Sequence, residues 1–415
     1  MNQMQGGICN QYESVRQQSV RICEPLEVED YLVQPMADAS PPKWHLAHIT
    51  WFFETFVLKP FLPGYQPFSD AYEVLFNSYY NGVGQQHPRA KRGLLSRPTV
   101  ADIFDYRAHV DGHMRSLLTG EITPKVYFRT ILGMNHEQQH QELLFTDLKY
   151  NLGHNPLSPI YQQGKSVPDV LPQALNFLEF SGGIYQIGIN ADDEFAFDNE
   201  SPRHDVLIED FRLANRLVTN AEFIEFVEDG GYQRPELWLA DAWALQCSEG
   251  KLSAPLYWQQ RQNEYFVYTL AGLVPVSPLE PVCHVSGYEA DAFARWKGAR
   301  LPTEMEWEVA AKNQEQKGIF VEDGFYHPLA ADTAELGGMF GNLWEWTQSS
   351  YSPYPGFKSF QGQLGEYNGK FMANQLVLRG GSCVTPRSHI RPSYRNFFYP
   401  ADRWQFSGIR LSKDV

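Results

Sequence analysis

The sequence has no surplus of positive charge, no long apolar run and no cysteine framework. Lysine and arginine number 34 against 49 aspartates and glutamates, a formal net charge of −15 at neutral pH. Such a chain repels phosphate backbones, and no lysine- or arginine-rich run supplies a local footprint, which argues against nucleic acid as a partner. No apolar stretch approaches the roughly 20 residues of a membrane helix, so no membrane role is expected. The start, MNQMQGGICNQYESVRQQ, lacks the apolar core of a signal peptide, and the expected location is cytoplasmic. Cys9, Cys23, Cys247, Cys283 and Cys383 are odd in number and irregularly spaced, with no CxxC pair. They speak against a disulfide framework and fit reduced thiols. Internal repeats and low-complexity tracts are also lacking.

What is present describes a folded protein with 43% hydrophobic and 20% charged residues. A length of 415 residues exceeds what one core commonly organises, so two domains are expected. The first, residues 1–165, reads as helical. A helix is expected near residues 12–35, and a second opens at Ser40-Pro41-Pro42 with a cap and a first-turn proline. On that helix Trp44, His48, Trp51, Phe52 and Thr55 share a face. A third, capped by Thr99, carries an apolar stripe of Ile103, Tyr106, Val110 and Leu117. The fourth starts near Pro124 and ends at Asn151-Leu152-Gly153. These four form a bundle, a fold that builds metal sites from side chains on facing helices. Residues 166–415 change character, with short β-like runs (GGIYQIGI, DVLIEDFRLA), helices in GYEADAFARWKGA and TEMEWEVAAK, and long glycine- and aromatic-rich loops. That is an α+β domain.

The stretch HEQQHQELLFTDLKY carries the sharpest chemical signal. His136 and His140, four apart, lie on one helix face and can share a divalent metal. His48 on a facing helix would complete three nitrogens and leave positions open for catalysis. His45 competes for that role, and His109 with His113 is a rival i, i+4 pair. HEQQH also fits the HExxH metallopeptidase pattern, in which Glu137 would be the general base; otherwise Glu137 is a solvated helix residue. No downstream histidine or glutamate completes a zinc site. A second group, Asn77-Ser78-Tyr79-Tyr80 followed by Arg89 and Arg92, combines tyrosine proton donors with carboxylate-gripping guanidinia. In the C-terminal half the tryptophans of GNLWEW are expected to hold a loop-rich fold together, while an aromatic lectin-like binding pocket without catalysis is the remaining functional class.

The run from RLPTEMEWEVAA through GNLWEWT, RGGSC and RPSYRN to FSGIRL resembles the formylglycine-generating (sulfatase-modifying) domain, a C-type-lectin-like α+β fold. WHLAHITWFFETF with HEQQHQE resembles the DinB-like four-helix bundle. Joined in this order they are similar to the non-haem iron sulfoxide synthases of ergothioneine biosynthesis. The resemblance implies iron(II) held by His48, His136 and His140, and demotes His45, His109 and His113. It implies dioxygen-dependent joining of a cysteine sulfur to the imidazole C2 of hercynine. Gln139 would bond the hercynine imidazole, and Asn396 with Phe397 its ammonium and carboxylate end.

Two departures set the expected sulfur donor. Asn396-Phe397-Phe398 replaces the Asn-Trp-Asp run of members that use γ-glutamylcysteine, and Asp402 stands in the place of their arginine. Free cysteine is therefore the expected donor, with Tyr79 or Tyr80 as proton donor, Arg89 on the cysteine carboxylate and Tyr351 in reserve. Ovothiol-type synthases, which act on histidine, are the alternative within the resemblance. Cys383 lacks the partner of the copper-binding cysteine pair and reads as structural. Oligomeric state stays open, self-association included.

Overall fold

A computed structural model describes residues 2–167, 171, 173–190, 195–248, 252–330 and 336–415. The chain divides into two compact units, Met1–Gln162 together with Phe360–Tyr367, and Gln163–Ser359 together with Asn368–Val415.

The first unit is a helical bundle of α1 (Asn2–Cys23), α2 (Pro42–Phe53), α5 (Val100–Thr119) and α6 (Pro124–Gly153), with the short α3 (Lys59–Phe61) and α4 (Asp70–Leu75) between. α1 stops at Cys23 rather than near residue 35, because the Glu24-Pro25 dipeptide disfavours helical backbone before the proline. Pro41, not Ser40, occupies the cap position of α2, and no side chain caps it. Ser40 instead receives a hydrogen bond from Arg92. α2 runs on through a π-helical turn, Glu54–Leu58. Thr99 caps α5 by accepting from the Asp102 N–H, and Asp102 accepts from the Thr99 N–H in return. The buried stripe of α5 is Ile103, Tyr106, Val110, Met114 and Leu118. Leu117 is only half-buried, one residue off the stripe that the 3.6-residue period actually follows.

Two features fix how α6 meets its neighbours. A Cβ on Gly133 would lie 2.5 Å from the Phe53 ring, so glycine there allows α2 and α6 to approach closely. One turn later, Glu137 is fully buried and accepts hydrogen bonds from Ser19 (2.6 Å) and Arg16 (2.8 Å), with Arg107 at 3.4 Å. The same Arg16 reaches Asp111 at 2.8 Å and Thr50 at 2.9 Å, touching all four helices. Burial opposes its charge, but Asp111 and Glu137 outweigh burial and raise its pKa. Glu137 is thus no solvated residue; its carboxylate anchors the bundle.

The second unit is the expected α+β fold. Twelve strands of two to seven residues form four small sheets among the described residues: β1 (Phe177–Phe180), β4 (Phe211–Ala214) and β12 (Ser412–Asp414); β2 (Gly183–Ile187) with β3 (His204–Ile208); β5 (Trp258–Arg261), β6 (Glu264–Thr269) and β7 (Gly272–Pro275); and β10 (Asn396–Phe398), β9 (Leu376–Arg379), β8 (Trp344–Ser350) and β11 (Ser407–Gly408). Four helices accompany them: α7 (Asn220–Glu228), α8 (Ala240–Cys247), α9 (Gly287–Trp296) and α10 (Glu304–Ala311). So little regular structure needs other crosslinks. Trp344 and Trp346 of GNLWEW are buried on β8, and Glu345 between them pairs with the buried Arg410 at 2.8 Å and accepts from the Trp307 indole at 2.8 Å.

Replacing Glu137 by alanine leaves Arg16 and Arg107 buried with an unmatched charge. A loss of about 3–5 kcal/mol in urea unfolding is expected, whereas a solvated Glu137 would cost under about 0.5 kcal/mol.

Candidate metal centre

α2 and α6 bring three imidazoles together. The ring nitrogens that His48, His136 and His140 can offer a metal lie within 4.8 Å of one another. Each ring is held by a neighbour. His48 stacks between Trp44 (centroids 4.6 Å, planes 10° apart) and Trp51 (5.5 Å, 17°), and His136 stacks on Phe52 at 4.5 Å. Because Trp44, His48, Trp51 and Phe52 share one helix face, local periodicity alone builds this aromatic housing.

Hydrogen bonding then selects which nitrogens remain. His48 Nδ1 donates to the Phe76 carbonyl at 2.6 Å, so its Nε2 carries the lone pair, and that atom is buried without a partner. Both nitrogens of His136 are buried without partners as well. Buried polar atoms are normally satisfied, and a metal ion would satisfy these. Burial lowers the pKa of all three rings, His136 to about 3. They are therefore neutral at physiological pH, as ligation requires. Three neutral imidazoles with open positions suit zinc, copper, iron or nickel.

His45 lies within reach but is committed elsewhere: Nδ1 to His140 Nδ1 at 2.8 Å and Nε2 to Asp147 at 3.0 Å. His109 and His113, both on α5, bond to the carbonyls of Gln66 and His109 and gather no third ligand among the described residues. Glu137, turned into the Arg16 network, is not placed as a peptidase base.

The NSYY segment lies in the same unit. Asn77 is fully buried and clamps the backbone of Tyr80, accepting from its N–H at 3.0 Å and donating to its carbonyl at 2.9 Å. Tyr80 is buried against Trp51 and Phe56, and Tyr79 stacks on it at 4.6 Å. Burial, with Tyr79 beside it, pushes the Tyr80 pKa well above its usual value, so the phenol keeps its proton at neutral pH.

The two arginines separate sharply. Arg89 is exposed and tied to Asp38, donating to its carbonyl at 2.9 Å. Arg92 is 3% exposed, lies 3.3 Å above the Trp44 ring, and donates to Ser40 and Ser78 at 2.9 and 3.1 Å. Its Nε is buried without a partner.

Tyr367 is a residue that sequence reasoning missed. It ends the 360–367 segment, donates to Gln139 Oε1 at 2.5 Å, and places its ring 5.8 Å from His136. Glu366 beside it accepts from the N–H groups of Asn81 (3.1 Å) and Gly82 (2.7 Å), while Gln363 donates to the Gly82 carbonyl at 2.7 Å. The segment therefore latches the tyrosine loop. No local pattern announces a partner 228 positions away.

In the second unit Tyr351 is buried, accepts from Asn199 at 2.9 Å and stacks on Phe397 at 4.1 Å. Asn396 accepts from the Phe397 N–H, and Phe398 meets Trp404 edge-on at 5.7 Å. Cys383 is fully buried.

Comparison with known proteins agrees with both halves. Residues 167–335 and 326–415 match the sulfatase-modifying factor enzyme 1-like domain, and residues 11–144 match the DinB superfamily. A hercynine oxygenase of Mycolicibacterium smegmatis is 35% identical over 410 residues, covering 91% of each chain. That of Mycolicibacterium thermoresistibile is 34% identical over 409 residues, covering 91% of this chain and 88% of its own. The chain belongs to the hercynine oxygenase family of ergothioneine sulfoxide synthases. The chain is also similar to ergothioneine biosynthesis protein 1 of Schizosaccharomyces pombe, 25% identical over 232 residues that cover 53% of this chain and 28% of that protein. No helix among the described residues is long and apolar enough to cross a membrane.

The latch makes a local prediction. With Glu366→Ala, the amides of Asn81 and Gly82 should exchange hydrogen about tenfold faster by NMR, the effect of losing a charge-assisted hydrogen bond of about 1.4 kcal/mol. Unchanged exchange would remove the latch.

Proposed function

We propose that this protein is an iron(II)-dependent sulfoxide synthase that joins cysteine to the imidazole C2 of hercynine with dioxygen. The observation that supports it best is the convergence of three buried, neutral imidazoles, two of them with unpartnered nitrogens, in a chain of this family. Atoms balance simply. The C2–H and S–H hydrogens leave with one oxygen atom as water, and the other oxygen ends on sulfur.

Iron held by His48, His136 and His140 would supply the one-electron chemistry that ground-state dioxygen needs, and three protein ligands leave positions for substrates. The chain's own groups supply the rest. Arg92 is the better carboxylate holder of the two arginines, since its buried guanidinium lacks an ion-pair partner among the described residues. Gln139, oriented by Tyr367, orients the imidazole, and Tyr80 or Tyr79 holds a proton in a water-poor setting. Asn396 and Phe397 are assigned to the ammonium and carboxylate end of hercynine by resemblance, with Phe398 where other members place the acid that selects γ-glutamylcysteine.

Metal-free protein loaded anaerobically with ferrous iron, then given hercynine and cysteine in air, should form hercynylcysteine sulfoxide, read by mass spectrometry. Product from γ-glutamylcysteine alone would overturn the donor, and product from histidine alone the acceptor. Activity with zinc but not iron would overturn the metal.

Arg92→Gln should raise the cysteine KM by about 10- to 100-fold, the effect of losing a charge-assisted contact, with a smaller change in kcat. An unchanged KM would move the carboxylate elsewhere.

A further inference from the structure

His45 and Asp147 are buried, at 2% and 3% exposure, yet neither is a proposed metal ligand. His45 lies one turn before His48 on α2; Asp147 lies seven residues after His140 on α6, on the same face two turns on. Between the helices they form a chain. Asp147 Oδ2 accepts from the Ser40 N–H at 2.8 Å and sits 3.0 Å from His45 Nε2, and His45 Nδ1 sits 2.8 Å from His140 Nδ1.

The hydrogens on this chain are constrained. A carboxylate only accepts, so the first hydrogen belongs to His45 Nε2. The ring-to-ring contact takes one more. Placed on His140 Nδ1, it leaves one hydrogen per ring and a bare Nε2 on His140. Placed on His45 Nδ1, it makes an imidazolium beside the buried rings and leaves His140 Nε2 protonated, unable to ligate. Only the first arrangement leaves His140 a nitrogen for a metal.

We infer that Asp147 and His45 are positioning residues: they fix the tautomer and ring orientation of His140 so that Nε2 faces the metal. The inference rests on the metal reading above and deepens it. Metal-bound histidines commonly give their second N–H to a carboxylate or carbonyl. His48 does so directly, to the Phe76 carbonyl. For His140 a second imidazole carries the link to the carboxylate. This also accounts for two sequence features that the ligand set leaves unused, the first histidine of WHLAH and the aspartate of LLFTD.

The test uses the full-length, metal-free chain and cobalt(II) as probe, with affinity from competition titration and geometry from the visible d–d bands. His45→Leu removes the acceptor of His140; Asp147→Asn keeps an oxygen for Ser40 and His45 but removes the charge. Both should weaken cobalt binding by about 10- to 100-fold and alter the bands, Asp147→Asn by the smaller amount. Apo-protein unfolding reports whether each variant folds. Should His45→Leu fail to fold, Asp147→Asn decides alone. Wild-type affinity and bands in a folded Asp147→Asn or His45→Leu, with His48→Ala abolishing binding, would overturn the relay and leave the metal reading standing. Wild-type binding in His48→Ala as well would overturn both.

Discussion

A single guanidinium sets the geometry on which the metal centre depends. Arg16 of α1 contacts Asp111 on α5, Glu137 on α6 and Thr50 on α2, so it senses the rotation of every helix. Adjacent helix residues point about 100° apart. Holding Glu137 toward α1 therefore turns His136 and His140 toward α2, where His48 waits. Buried ion pairs add little net stability relative to apolar packing. Their value here is positional: a slip of α6 would strand a carboxylate in the core as well as disperse the histidines. Gly133 complements this constraint by letting α2 and α6 come close enough for their imidazoles to converge.

The histidines themselves are prepared by packing rather than by charge. Arg92, Trp44, His48 and Trp51 form a column in which each ring restrains the next, and Phe52 does the same for His136. Rings so confined have lost their rotamer freedom during folding and lose little more on binding a metal. The same apolar surroundings keep the rings uncharged and bury the Arg92 guanidinium against the Trp44 face. Housing and protonation state thus follow from one aromatic helix face.

Much of this was legible in the sequence, and the reason is locality. Helix periodicity placed His136 with His140 and His48 with its tryptophans, and Thr99 declared its own cap. The tryptophans of GNLWEW were readable as fold-holding residues because a segment with few regular elements needs large rings to hold it together. What stayed hidden was non-local or depended on orientation. Glu137 looked like a solvated residue or a peptidase base because nothing in HEQQH shows which side of α6 meets Arg16, 121 positions away. His45 looked like a rival of His48; only hydrogen bonds to His140 and Asp147 separate their roles. The resemblance put Arg89 on the cysteine carboxylate, whereas burial sets Arg92 apart: Arg89 is exposed and tied to Asp38.

The 360–367 segment carries the same argument furthest. By composition it belongs to the loop-rich C-terminal half, and a domain boundary drawn once along the chain assigns it there. In space it belongs to the helical unit, held by Glu366 and Gln363 against Asn81 and Gly82. A hydrogen-bonded latch of this kind fixes the tyrosine loop and Tyr367 together, so Gln139, Tyr79 and Tyr80 share one support. The sulfoxide synthase chemistry needs a carboxylate grip, an imidazole contact and a proton donor at once. A bundle of four helices offers only the side chains of its own faces; the 360–367 segment, returning from elsewhere in the chain, adds Tyr367 beside Gln139 and His136.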